Sequence, residues 1–373
     1  MSSVSIVPVR TPSELERFIR LPERLYASDP CFVTPLRIER REALSPRKNP
    51  YFQHAEAQFF LAQRAGEDVG RISAQVDRLA PNDEGHFGLL AAEDDPAVFG
   101  ALFAAAEEWL RSRARRRALG PLSLSINEES GLLVAGFDAP PMMLMAHDPD
   151  YASRRIEACG YAKAKDTIAY LYDIAHELPP SARRLVDTRK PGGLEVRALD
   201  MRRYVEEFDC VTQIFNDAWS ANWGFIPFTE AEVRHMAKSL KPLIEPSCVA
   251  IAEIDGKAVG FGVLLPNLNE AIAGFKGRLL PFNWLALLLR LRRGTRTARV
   301  PLMGIRREYQ GGVLGGLIAF LIIDRLRAGA RARGVERIEL SWILEDNWPM
   351  RRVIESLGAV PYKTYRLYEK ALA

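Results

Sequence analysis

The feature that most limits what this chain can become is an internal echo. Residues 59–77, FFLAQRAGEDVGRISAQVD, read as an apolar-alternating strand, a turn centred on Gly66 and a second strand; residues 248–266, CVAIAEIDGKAVGFGVLLP, repeat the pattern around Asp255 and Gly256. Each hairpin is followed by an arginine-rich amphipathic helix and an apolar strand, at 109–127 and again at 324–343. Each closes alike, with a helix ending at glycine and then a strand, at 154–173 and 351–370. Two related α/β domains, each a mixed sheet flanked by helices, satisfy that order.

Length agrees, because 373 residues exceed what one hydrophobic core usually organises. The polar stretch 177–195, with Pro179, Pro180, Pro191, Gly192 and Gly193, is the natural linker between domains 1–176 and 196–373. A hydrophobic content of 48% with 26% charged residues excludes long disordered tracts. A net charge of +4 excludes polyanion binding by bulk charge, and no nucleic-acid partner is expected. Four scattered cysteines and five histidines show no ligand spacing, so neither a metal site nor a disulfide framework is expected. The first ten residues lack an apolar signal core, which points to a cytoplasmic address.

The second half carries IRREYQGGVLGGLIAFLIIDRL at 305–326, a glycine turn between an apolar strand and an apolar helix. Consecutive backbone N–H groups at such a helix start make an anion cradle. The run resembles the acyl-CoA motif of the GNAT acyltransferases, Q/R-x-x-G-x-G/A, with Gln310 and Gly315 on the motif, Val313 in place of its middle glycine, and Gly311, Gly312 and Gly316 beside it. Downstream, SWILEDNWPMRRVIESLGA at 341–359 resembles the second GNAT signature through Asn347, Leu357 and Gly358. The resemblance implies tandem GNAT folds using acyl-CoA as co-substrate. The first half has Asp94, Asp95 and Pro96 where the phosphate turn would fall, two carboxylates and a missing donor that repel a phosphate, so the N-terminal copy reads as degenerate.

In the GNAT reaction an uncharged amine attacks the thioester directly, and this chain shows neither a Gly-x-Ser-x-Gly elbow nor a Cys–His pairing. By the resemblance, a backbone N–H of the strand entering Gly304 and Ile305 would hold the oxyanion. The tyrosine that many GNAT enzymes use as acid falls on Ile354 here. Glu345 and Asp346, with Asn347 beside them, stand at the end of a strand over the expected cleft and are the candidate base residues; helix capping is the competing role for Asp346 or Asn347. Trp219, Asn222, Trp223 and Phe225 suit an apolar acceptor cleft with one orienting amide, or simply core; Glu128 and Glu129 add carboxylates beside a proline-methionine patch.

Residues 274–299 join seven cations and no acid to a run of Leu, Phe and Trp. Too short to span a bilayer, the segment suits a membrane interface or a greasy acyl chain, or a helix packed on its own protein. Taken with NDAWSANWGF, ILEDN and YKTYRLYEK, it resembles the bacterial two-domain GNAT proteins that include bacterial ceramide synthases. That resemblance implies long-chain acyl transfer to the amine of a sphingoid base such as 3-oxosphinganine, by a cytoplasmic enzyme peripheral on the inner membrane through 276–299. An acyltransferase for small amines, and a silent CoA- or lipid-binding module, are the rival readings.

Overall fold

The computed structural model describes residues 3–180, 183–184 and 192–372. Nine of the nineteen residues of the expected linker 177–195, namely 181–182 and 185–191, lie outside the described residues. The chain forms two compact units, the first made of 1–168, 272–284 and 362–373, the second of 169–271 and 285–361.

The first unit begins with β1 (Ser5–Pro8) and α1 (Pro12–Leu25), whose start is fixed by a capping box between Thr11 and Glu14. After α2 (Arg37–Ala43) comes the expected hairpin, β2 (Ala55–Arg64) and β3 (Glu67–Asp77). It turns through Ala65 and Gly66, both at positive φ, the geometry that matches strand twist. Next come β4 (Glu84–Ala92), α3 (Pro96–Arg111), β5 (Arg117–Gly120), β6 (Leu132–Ala135), α4 (Tyr151–Ala158) and β7 (Ala162–Asp173), whose last five residues belong to the second unit. Strands β1 to β4 pair antiparallel in order, and β4 pairs parallel with β5. One face of the sheet packs on α3 around Ile72, Phe87, Phe99 and Phe103, and a second cluster gathers Phe18, Leu21, Tyr51, Phe59 and Leu61.

The second unit repeats the plan with β8 (Leu194–Ala198), α5 (Tyr204–Trp219), α6 (Glu230–Leu240), β9 (Val249–Ile254), β10 (Lys257–Pro266), α7 (Leu268–Ile272, its last residue in the first unit), α8 (Asn283–Arg293, in the second unit from Leu285), β11 (Thr297–Ile305), α9 (Gly312–Ala332), β12 (Arg337–Leu344) and α10 (Trp348–Ser356). Strands β8 to β11 are antiparallel neighbours, and β11 pairs parallel with β12. The antiparallel run followed by one parallel pair is therefore common to both units.

Two features depart from a plain sequence repeat. The last strand, β13 (Val360–Ala371), places residues 362–373 in the first unit, where it pairs antiparallel with β5 and sends Tyr368 into that core. The compact units thus cut the chain differently from halves 1–176 and 196–373, because strand pairing follows the sheet edge on offer rather than sequence order. The strand expected at the end of 109–127 is also only four residues long; Pro121 follows it, offers no N–H to a ladder, and residues 121–131 turn away.

Candidate active site

The site is built where β11 and β12 part. They pair in register from Thr297 with Arg337 to Val300 with Leu340, and no pairing continues beyond. The other edge of β11 stays bound to β10, and the Arg306 N–H donates to the Val259 carbonyl at 2.8 Å. Hydrogen-bonding direction alternates along a strand, so Gly304 shares that edge while the N–H groups of Met303 and Ile305 face the opening. Of the two positions expected to present an oxyanion donor, the Ile305 N–H faces the opening and the Gly304 N–H faces β10, while the Met303 N–H also faces the opening. Gly304 is needed for packing instead. A Cβ there would meet the Phe261 ring at 3.1 Å and the Ala218 Cβ at 3.3 Å, with the Trp219 indole nitrogen at 3.7 Å.

From β11 the chain turns through Arg307–Tyr309 to Gln310 and enters α9. Gly311 and Gly312 have φ of +89° and +61°, a conformation that disfavours any side chain, and no side chain caps the first turn of α9. The opening N–H groups of a 21-residue helix are left pointing outward with its positive dipole end. Val313, the departure from the motif, is 79% exposed, so its side chain stands clear of the turn. Gly315 faces inward: a Cβ would lie 2.6 Å from the Tyr309 carbonyl oxygen, whereas one at Gly316 meets nothing within 4 Å. The Gln310 amide donates to the carbonyls of Ile305 at 2.7 Å and Ala218 at 3.3 Å, which makes it a brace for the turn.

A second brace was not legible in the sequence. The Arg307 N–H donates to Asp217 Oδ2 at 2.8 Å, tying the end of α5 to the turn. Asp217 looks like any helix-surface acid, and only its meeting with a residue 90 positions away reveals the role. At the same helix end Trp219 stacks 4.6 Å from the ring of buried Phe215, and Phe225 lies 6.0 Å from it. Those two residues therefore help form an aromatic cluster over the strand. Trp223 is half-buried and Asn222 exposed, with its carbonyl accepting from the Phe225 N–H.

At the end of β12, Asn347 takes the capping role: its Oδ1 accepts the Met350 N–H at 3.3 Å as the N-cap of α10. Glu345 is half-buried and Asp346 exposed. The turn is held by Arg351, which donates to the Glu345 carbonyl at 2.7 Å and to the Tyr170 hydroxyl at 2.9 Å; that hydroxyl donates to Glu355 at 2.7 Å. Ile354, at the position of the absent acid, is buried. Burial pushes the thiols of Cys159, Cys210 and Cys248 up, which disfavours the thiolate a nucleophile needs.

The second unit thus gathers 304–316, 217–225 and 345–347. Glu128 and Glu129 belong to the first unit, where Glu129 accepts from Ser123 at 3.3 Å and lies 3.8 Å from Arg40. That unit's equivalent helix start is already filled. Asp95 caps α3 by accepting the Ala97 N–H at 2.7 Å, and it pairs with Arg64 at 2.6 Å. Its parallel strands do not open either, since a Cβ on Gly88 of β4 would lie 1.6 Å from the Leu122 carbonyl oxygen. In the first unit the segment after β5 thus fills, beside β4, the place equivalent to the opening that β11 and β12 leave in the second.

A parallel strand pair that parts beside an uncapped glycine helix start, following an antiparallel run, defines a GNAT-type acyltransferase. The fold matches the tandem GNAT protein from the clavulanic acid biosynthesis pathway with a TM-score of 0.59 at 16% identity, covering 100% of this chain and 99% of that one. No family model matches the chain. It is 54% identical over 377 residues to bacterial ceramide synthase of Caulobacter vibrioides, covering 100% of this chain and 98% of that protein. Protein YghO of Escherichia coli is 46% identical, covering 96% of this chain and 93% of its own length. The chain belongs to the bacterial ceramide synthase family.

Proposed function

We propose that this chain is an acyl-CoA-dependent N-acyltransferase that moves a long acyl chain onto the amine of a lipid, a sphingoid base such as 3-oxosphinganine, at a membrane surface reached through 276–299. The observation that carries the donor assignment is the open start of α9 in the second unit, set against the carboxylate-filled start of α3 in the first. The relationship to bacterial ceramide synthase supports the acceptor.

In this reading the uncapped N–H groups of α9 hold the pyrophosphate of the donor, and the gap between β11 and β12 takes its pantetheine arm. The amine nitrogen attacks the thioester carbonyl; an N–C bond forms, the developing oxyanion lies against the Ile305 or Met303 N–H, and the C–S bond then breaks. Glu345 or Asp346 receives the amine proton, and the thiolate, of a thiol with pKa about 8.5, leaves with little protonation. That accommodates Ile354 in place of a tyrosine acid.

The test is incubation of the purified chain with palmitoyl-CoA and a panel of amines, from 3-oxosphinganine and sphinganine to amino acids and polyamines, with amides read by mass spectrometry. Amides of the long-chain bases are expected. Turnover confined to small amines would overturn the acceptor assignment, and no turnover of any amine would overturn the enzyme reading.

A further inference from the structure

Among the described residues, twelve large apolar side chains are exposed, and six of them fall within ten consecutive positions: Leu280, Phe282, Trp284, Leu285, Leu288 and Leu289. Phe282 is the most exposed of these six, at 78%. The helix they lead into, α8, buries none of its residues, so its apolar side is not spent on the protein's own core. Leu285, Leu288 and Leu289 follow helical spacing and share one face.

The structure also sorts the seven cations of this stretch. Arg299 is fully buried beside Glu339 and Ser341, Arg296 pairs with Glu336 at 2.7 Å, and Arg290 donates to the Ala271 carbonyl. Lys276, Arg278, Arg292 and Arg293 are exposed, flanking the apolar run on both sides. No acid occurs anywhere from 274 to 299. The charge fits an anionic partner, and a second copy of the same segment would meet cation with cation. Eleven helical residues reach only about 16 Å, about half of a hydrocarbon core, and no helix among the described residues is long and apolar enough to cross a membrane.

We infer that residues 276–293 dock on an anionic lipid bilayer. Phe282, Trp284 and the leucines enter the headgroup boundary, while Lys276, Arg278, Arg292 and Arg293 sit at the phosphate level. This deepens the lipid-acceptor reading and rests on it for its purpose, since a sphingoid base with a long tail is met in a membrane rather than in water.

Sedimentation of the full chain with vesicles tests it, using phosphatidylcholine alone and phosphatidylcholine with about 30% phosphatidylglycerol, a fraction giving a surface field of the kind that draws basic segments. Binding to the anionic vesicles alone, weakened by salt, is expected. Arg292→Gln with Arg293→Gln should lower partitioning about 25-fold, from about five-fold for each cation. Phe282→Ser with Trp284→Ser should abolish it. Acyl transfer to a detergent-dispersed sphingoid base, run in parallel, should be unchanged in both variants, so loss of the activity reading and loss of the docking reading are told apart. Wild-type protein that ignores anionic vesicles, or variants that bind them as well as wild type, would overturn the proposal; so would protein that self-associates through this segment, seen as a dimer that the serine variants dissolve.

Discussion

Gly315 offers the sharpest check on how the donor turn works. An alanine there puts its Cβ 2.6 Å from the Tyr309 carbonyl oxygen and 3.4 Å from the Gln310 carbonyl carbon, so the turn or the helix start must move. Overpacking of this kind costs about 1–3 kcal/mol of stability. The larger effect is on geometry, because the moved atoms carry the N–H groups proposed to hold a pyrophosphate. Misaligning one or two charged hydrogen bonds loses about 1.5–3 kcal/mol, which is roughly tenfold to a hundredfold in affinity. Gly316→Ala is the control: its Cβ meets nothing within 4 Å and it lies inside α9. Alanine in a helix interior is favoured over glycine by up to about 1 kcal/mol, so this variant should be as stable or more so. Titration calorimetry with CoA should give a Kd at least tenfold higher for Gly315→Ala and within twofold of wild type for Gly316→Ala. Equal affinity in the two variants, with Gly315→Ala still folded, would refute the donor assignment.

Asp148 in the first unit supplies a pH prediction: burial pushes its carboxyl up to about 7, although the Leu133 N–H donates to it. The folded state therefore binds more protons than the unfolded chain, whose Asp titrates near about 3.9, and this group's contribution makes stability fall as pH rises from about 4 to about 7. Asp148→Asn should remove that loss, gaining on the order of 4 kcal/mol at pH 8 and nothing at pH 3, measured by urea unfolding; a variant less stable at pH 8 would contradict it. Arg351→Met should lower kcat at least tenfold with CoA affinity unchanged, because it removes the guanidinium donor from the Glu345 carbonyl and the Tyr170 hydroxyl, at a cost of about 1–3 kcal/mol in stability. Unchanged kcat would remove Glu345 and its turn from the mechanism.

What the sequence discloses here is what acts over short range. The two hairpins, the glycine opening of α9, the Asp95 obstruction and the Asn347 cap all follow from residues within a few positions of one another. Gly304 was expected at the oxyanion strand, but the direction of its N–H is not written locally, since which edge of a strand faces a cleft depends on counting from a pairing partner. Asp217 with Arg307, and Tyr170 with Glu355, join residues 90 and 185 positions apart, and nothing in either local context marks them. Tyr368 reads as one more strand aromatic, and only the pairing with Gly120 assigns it to the core of the other repeat.

That assignment sets an order of events during synthesis. The first unit needs residues 362–373 for its sheet and core, yet those residues leave the ribosome only after the whole second unit has been made. The early half must wait with an unpaired strand edge at β5 while the later half folds, a long-range closure that slows folding and exposes the chain to mispairing. Loss of the last dozen residues would then be felt first at the beginning of the protein.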